Sequence, residues 1–160
     1  MAQMLDRHDY SYSGGLIMTE ISSILQLPKV VNARESVGGI LSAYIDREYV
    51  LQYCVNGEGS FRLRNNLFHI TPGTTFLMPP QLPHALHFMR EASDYRYIVV
   101  HFALPEGSTL LRHFPQVVSL TKGDSMVVEQ CMRDIVKEYL SGRSGAGLVM
   151  AGLLIEALGL

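Results

Sequence analysis

The hydrophobic positions of this chain change their spacing along its length, and the changes divide it into three parts. From residue 29 to about 105 they come as short runs rich in Val, Ile, Tyr, Phe and Thr, the composition of strands. The pattern predicts strands at 40–45, 49–55, 60–64, 67–70, 75–78, 84–88 and 95–102. Turn-forming residues separate them: Asp46-Arg47, Asn56 to Gly59, Asn65-Asn66, Thr71-Pro72-Gly73 and Pro79-Pro80-Gln81. Strands at such even spacing point to an antiparallel sandwich or small barrel. Residues 60–64 (Ser-Phe-Arg-Leu-Arg) alternate as a strand wetted on one face does. Residues 49–55 and 98–102 are apolar on both faces, which places them deep in the barrel.

After about residue 121 the spacing becomes helical. Val128, Cys131, Met132, Ile135, Val136 and Tyr139 recur on one side of a helix. Asp124 or Ser125 is the expected cap, with Glu129 in the early turns. Ser141 to Gly145 breaks the pattern, and a second helix starts near Ala146 or Leu148. Its apolar marks are Leu153, Leu154, Leu158 and Leu160. So apolar a helix needs a covering surface, which is the barrel, the first helix or another subunit. The first part, 1–28, has an apolar middle interrupted by Ser22 and Ser23 and reads as an arm, a strand or a weak helix. The fold class is mainly β with C-terminal helices. An N-terminal arm (1–28) precedes a barrel (29–120) and a helical segment (121–160).

Composition narrows the function classes. The 160 residues are 48% hydrophobic and 18% charged, which excludes intrinsic disorder. Lys and Arg number 13 against 15 Asp and Glu, for a net charge of −2. That is too few cations for a nucleic-acid grip or a polybasic membrane contact. Cys54 and Cys131 sit in apolar settings with no zinc-type spacing, as buried thiols of a reducing cytosol do. No apolar stretch reaches the roughly 20 residues of a membrane span, and the N-terminus lacks a signal-peptide pattern. The expectation is a cytoplasmic protein with no membrane partner.

The residues from Gly73 to His84 carry the first chemical signal. A glycine turn precedes an apolar strand, then a proline-rich turn, then a histidine. This resembles the second sequence motif of the cupin barrels. Gly73, Pro79 and His84 fall on its positions, while Gln81 and Phe88 replace its second Gly and final Asn. The first cupin motif, which supplies most of the metal site in metal-bearing members, is degenerate. Anchored on Gly57, it puts Val50 at the Glu position and no histidine between 43 and 46, with Glu48 out of register. A catalytic metal needs about three converging protein ligands, and His84 alone remains. His69, His87 and His101 either join an improvised site or are metal-free pocket and surface histidines. No metal and no cofactor are expected.

A wider pattern runs from Arg47-Glu48-Tyr49 through Tyr53, Gly57 and Gly59, then Thr71-Pro72-Gly73, Phe76 to Pro80, His84, and Tyr95 to Phe102. It resembles the N-terminal sensor domain of AraC-family transcription regulators over about residues 34–160. The resemblance implies a cupin-like (jelly-roll) barrel followed by two helices. It implies a small effector, often a sugar, in the barrel, and a homodimer formed through the C-terminal helix. In that family a separate C-terminal domain with two helix-turn-helix units binds DNA. Only roughly 40 to 60 residues follow the barrel here, too few for it. The resemblance therefore implies a sensor domain cut from a longer regulator, which meets DNA only through the part not in this chain.

The effector site follows from the same resemblance. Arg47 matches a sugar-contacting Arg of the arabinose-responsive member, or else faces solvent at a strand start. Leu86, Tyr97 and Val99 fall where that member has a pocket Tyr, a His and a stacking Trp. The chain contains no Trp, so the stacking platform for arabinose is missing. Tyr95, Tyr97, Val99 and His101 share one strand face. Turned inward, that face offers two phenols and an imidazole beside an apolar patch; otherwise it is a network satisfying its own hydrogen bonds. His84 is a pocket donor or the residue that fixes the 79–83 turn. The expected effector site is Arg47, His84, Leu86, Tyr95, Tyr97, Val99 and His101, and the expected subunit seam is Leu153, Leu154 and Leu158. The competing reading is a small metal-dependent cupin enzyme, an isomerase or dioxygenase.

Overall fold

The computed structural model describes residues 27–38, 41–44, 47–82, 84–88, 95–112, 117–119 and 122–159, with the backbone alone for 41–44, 84–88, 117–119 and Lys122. Among these residues are nine strands: β1 (Lys29–Val37), β2 (Leu41–Tyr44), β3 (Tyr49–Asn56), β4 (Gly59–Leu63), β5 (Asn66–Ile70), β6 (Thr74–Met78), β7 (His84–Phe88), β8 (Arg96–Ala103) and β9 (Val117–Ser119). Two helices follow, α1 (Lys122–Ser141) and α2 (Ala146–Ala157). The strands form two antiparallel sheets, in the orders β1-β8-β3-β6-β9 and β2-β7-β4-β5. The fold is mainly β, a cupin-like barrel with two C-terminal helices. The N-terminal arm expected over 1–28 lies, as far as residue 26, outside the described residues.

The five-stranded sheet has buried residues on both faces, which explains the unbroken apolar runs in β3 and β8. Side chains alternate along a strand. Val50, Cys54, Tyr97 and Val99 pack into one cluster with Phe61, Leu63, Ile70, Phe76 and Met78, the interior between the sheets. Leu51, Tyr53, Ile98, Val100 and Phe102 pack into a second cluster with the helices. The two strands are thus walls between two cores. β4 alternates as expected: Gly59, Phe61 and Leu63 are buried while Arg62 is exposed.

The structure adds β1 and β9 to the predicted strands. β1 holds Asn32, Arg34, Glu35 and Ser36, too polar to show a strand period, and buries Val30 and Ala33 on the helices. It pairs with β8 at the sheet margin, where polar side chains find water. α1 starts at Lys122, ahead of the expected cap, so Asp124 and Ser125 lie in its first turn. An aspartate there complements the positive end of the helix dipole. The Ser125 hydroxyl lies 2.6 Å from the Tyr53 hydroxyl on the sheet. Tyr139, expected on the buried face, is 38% exposed. Gly142 and Gly145, both with positive φ, reverse the chain into α2.

The residues of the expected seam, Leu153, Leu154 and Leu158, meet the core of their own subunit. Leu154 is fully buried and Leu158 is 5% exposed within one subunit, and Leu153 packs against the same core. These residues share a side of α2 with Met150 and Ala157, and that side turns onto α1 and the sheet. They therefore close the core of their own subunit. The surface positions of α2 are Gly147, Leu148, Val149, Gly152 and Glu156, of which Leu148 and Val149 are the large apolar ones.

Candidate functional site

The interior face of the five-stranded sheet gathers polar groups into an apolar wall. Register places Tyr97 opposite Cys54, Val99 opposite Gln52 and His101 opposite Val50, on the adjacent strands β8 and β3. Tyr95, just ahead of β8, is 1% exposed, and its ring centre lies 5.4 Å from that of Tyr97. Gln52 is buried, and its Nε2 donates to the Tyr95 hydroxyl at 3.2 Å. The Cys54 thiol also interacts with that hydroxyl, and its Sγ lies 3.6 Å from the Asn56 carbonyl oxygen. Phe61 and Phe76, with ring centres 4.6 Å apart, line the apolar side.

Burial sets the protonation of this cluster. Loss of solvation pushes the Tyr95 hydroxyl well above the ordinary range, and the nearby Cys54 adds to the effect. The same loss pushes the Cys54 thiol up to about 11, against a smaller lowering by its hydrogen bond to Tyr95. At neutral pH the cluster therefore offers neutral phenol, amide and thiol groups. It can exchange hydrogen bonds with a ligand's hydroxyls while Val99 and the Phe rings cover its C–H surface. It resists an ionised group that brings no partner, because burying a charge unpaired is costly.

Several expected residues meet here. Tyr95, Tyr97 and Val99 are buried together on the interior face, and His101, half-buried, continues their row. His84 and Leu86 lie on β7 opposite Leu63 and Phe61, in rows where those residues enter the interior. The side chains of His84 and Leu86 fall outside what is described. Arg47 is exposed in a bend ahead of β3, at the margin of the barrel.

Sequence reasoning missed Gln52, and it read Cys54 only as an inert thiol. The signal was present: Gln52 is the sole polar amide in the apolar run 49–55, and alternation puts it in phase with Val50 and Cys54. Arg34 was missed as well. It is exposed on β1 directly opposite Val99, so it stands in the same row at the margin of the sheet.

Val50, at the position of the cupin glutamate, is fully buried. Among the described residues no three His, Cys, Asp or Glu converge on a point that could hold a metal ion. No described helix is long and apolar enough to cross a membrane.

Comparison with known proteins places the chain. Solved structures similar to it include an RmlC-like cupin from Shewanella frigidimarina, at 18% identity over 51% of this chain and 70% of that one, with TM-score 0.39. An RmlC-like cupin with a double-stranded β-helix fold from Methanocaldococcus jannaschii matches at 14% identity, 51% and 74% coverage, and TM-score 0.39. A predicted oxalate decarboxylase from Thermotoga maritima matches at 18% identity, 48% and 68% coverage, and TM-score 0.41. No curated protein sequence matches the chain. The family model of the AraC-like ligand binding domain matches residues 44–158, more than half of the chain, from β2 through α2. The chain belongs to the family of AraC-like ligand-binding domains.

Proposed function

We propose that this domain senses a small polar molecule, a sugar or a glycoside-like compound, and controls a DNA-binding domain that lies outside this chain. The observation that carries the reading is the buried Gln52–Tyr95 hydrogen bond beside Tyr97 and Val99. A core built only for stability gains little from an amide and two phenols, because their net hydrogen-bond contribution is about 1 kcal/mol each. A sugar site needs such groups, fixed in place and backed by apolar surface. His84, Leu86 and His101 extend the site around the interior, and Arg34 and Arg47 supply forked donors at its margin. The effector acts by binding one arrangement of barrel and helices better than another.

We also assign a homodimer to the C-terminal helices, through the outer side of α2 rather than its buried leucines. Leu148 and Val149 are 41% and 42% exposed, and Leu140 at the end of α1 is 76% exposed. Leu148 and Val149 form an apolar patch on the outer side of α2, apart from the exposed Glu156, and such a patch calls for cover. Leu148→Glu then gives a folded monomer by light scattering; a dimer of unchanged mass rejects this surface.

The test of the sensor reading is thermal unfolding against neutral sugars, glycosides and small aromatic acids in chelator-treated buffer. A ligand at about 100 times its Kd stabilises by about 2.7 kcal/mol. That raises Tm by roughly 5 °C in a domain of this size. A selective shift that Tyr95→Phe diminishes supports the interior site. A shift untouched by Tyr95→Phe and Val99→Ala places binding elsewhere. A response to Fe, Mn or Zn ions alone favours the metal-dependent cupin reading.

A further inference from the structure

Residues 52–54 of β3 belong to two hydrogen-bonded networks on opposite sides of one sheet. On the interior side Gln52 and Cys54 engage Tyr95. On the helix side the Tyr53 hydroxyl lies 2.6 Å from Ser125 Oγ and donates to Glu129 Oε2 at 3.2 Å. Glu129 Oε1 in turn accepts from Arg133 Nε at 3.0 Å and Nη2 at 2.8 Å. Arg133 Nη1 reaches Glu35 Oε1 on β1 at 2.6 Å. The chain of contacts thus runs from the sheet centre, along the first three turns of α1, to the sheet margin.

A third contact ties the two networks together. The carbonyl of Cys54 accepts the Gly73 N–H at 2.9 Å. Gly73 has φ +89°, and a Cβ there would stand 3.0 Å from Ser125 Oγ. The turn before β6 is therefore pressed against the same serine that holds Tyr53. Cys54 is thus joined to Tyr53 through the chain and to Ser125 through Gly73. A buried tyrosine needs one partner for its hydroxyl, and a single bond to α1 would meet that need. The shared serine and the close glycine go beyond it.

We propose that Tyr53 is a positioning residue that couples the barrel interior to the N-terminal turns of α1. Its bonds to Ser125 and Glu129 are the contacts that a ligand in the interior makes or breaks. The Arg133–Glu35 pair holds the next part of α1 to β1 and serves as the pivot. Packed elements change between discrete arrangements rather than deform smoothly, so loss of the Tyr53 contact releases the first turns of α1 as a unit. The inference rests on the reading of the interior as the effector site, but its test uses no effector.

The test is hydrogen exchange by mass spectrometry on the whole chain, with the interior perturbed by Tyr95→Phe. In the otherwise unchanged protein, amides of residues 122–134 are expected to exchange about fivefold faster or more, the lower end of ordinary coupling between sites. In a Tyr53→Phe background, where the ring stays but the hydroxyl is gone, Tyr95→Phe is expected to cause no further change there. A purely structural Tyr53 gives additive effects instead, and additivity overturns the proposal. So does an unchanged α1 in the Tyr95→Phe protein. Cys54→Ala replaces Tyr95→Phe as the interior perturbation if that variant does not fold. Failure of every compound in the unfolding panel removes the sensor reading and leaves this non-additivity standing, so the two failures are distinguishable.

Discussion

The two faces of the five-stranded sheet are built from different chemistry, though both are buried. The helix face meets α1 and α2 with Leu, Ile, Val, Ala and Phe102, and its polar contacts form the line from Tyr53 to Glu35. The interior face carries Gln52, Cys54, Tyr95 and Tyr97 among the apolar residues. Aliphatic burial contributes about 25 cal/mol per Å² without further conditions. Buried amides and phenols contribute only when their partners are in place. The difference separates two tasks. The helix face holds the domain together, while the interior face keeps hydrogen-bonding groups at the place proposed for the effector.

The sharpest test of this separation is Leu154→Ala. Leu154 is fully buried between α2 and the sheet. Its truncation is expected to cost about 3 kcal/mol, read as a lowered urea midpoint. Equal or greater loss from an interior substitution would reverse the assignment of the two faces. A Leu154→Ala protein of unchanged stability would return this leucine to a surface seam.

Gly73→Ala attacks the junction of the two faces. The alanine must adopt φ +89° and place its Cβ 3.0 Å from Ser125 Oγ. The expected cost is about 2 kcal/mol by urea unfolding, from the left-handed backbone and the crowding together. Ser125→Gly in the same chain recovers the crowding share and leaves the backbone share. Full recovery would show that the backbone strain is negligible.

High pH tests a buried thiol on each face, and the Cys54→Ala variant tells them apart. Burial holds the Cys54 thiol at about 11, above its ordinary 9.0. The unfolded chain releases this proton from about pH 9, and the folded chain keeps it until about pH 11. Stability on this account is complete below pH 9 and falls between pH 9 and 11. The slope is at most about 1.4 kcal/mol per pH unit per thiol. Cys131, on the helix face, is also raised to about 11, chiefly by burial and then by Glu156. Urea midpoints at pH 8 and pH 10.5 are expected to differ less in Cys54→Ala than in the parent protein. An equal difference would assign the alkaline loss to Cys131 and the buried tyrosines.

Much of this architecture was legible from side-chain spacing, because period-two alternation and helical recurrence are consequences of geometry. The strands around Tyr49–Asn56, Gly59–Leu63 and Arg96–Ala103 and both helices could be read this way. β1 could not, since a marginal strand with Asn32, Arg34, Glu35 and Ser36 needs no apolar period. The fate of Leu154 was illegible for another reason. An apolar helix face looks the same whether its cover is its own barrel or a second subunit. At the site, alternation put Tyr95, Tyr97, Val99 and His101 on one face, and the structure turns the first three into the interior. Gln52 was hidden by its neighbours, because a run apolar on both faces draws no attention to its one amide. The Tyr53–Ser125 contact joins residues 72 positions apart, which no local pattern reports.

Tyr95→Phe probes the interior face with a smaller effect. It removes the hydroxyl that accepts from Gln52 and leaves a buried amide proton without that acceptor. The expected loss is about 1 kcal/mol in urea unfolding. Gln52→Leu added to it is expected to restore part of the loss, since the orphaned donor is then gone. Restoration beyond the parent stability would mark the Gln52–Tyr95 pair as kept for binding against the interest of the fold. Strict additivity of the two changes would show that the pair does not interact in solution, and the interior face would lose its distinctive element.

The smallest effect tests the helix face from the opposite direction. Thr75 on β6 is out of phase with Phe76 and Met78, which enter the interior, and in phase with Leu77, which packs towards the helices. It is 6% exposed, and its Oγ1 finds no hydrogen-bond partner among the described residues. A buried hydroxyl in that state opposes folding. Thr75→Val keeps the branched shape, suits a strand and removes the polar atom. A gain of about 0.5–1 kcal/mol in urea unfolding is expected. A loss of similar size would mean that this hydroxyl is satisfied in solution. The helix face would then carry a polar contact beyond the Tyr53 line, and the division of tasks between the two faces would be less clean than the clusters indicate.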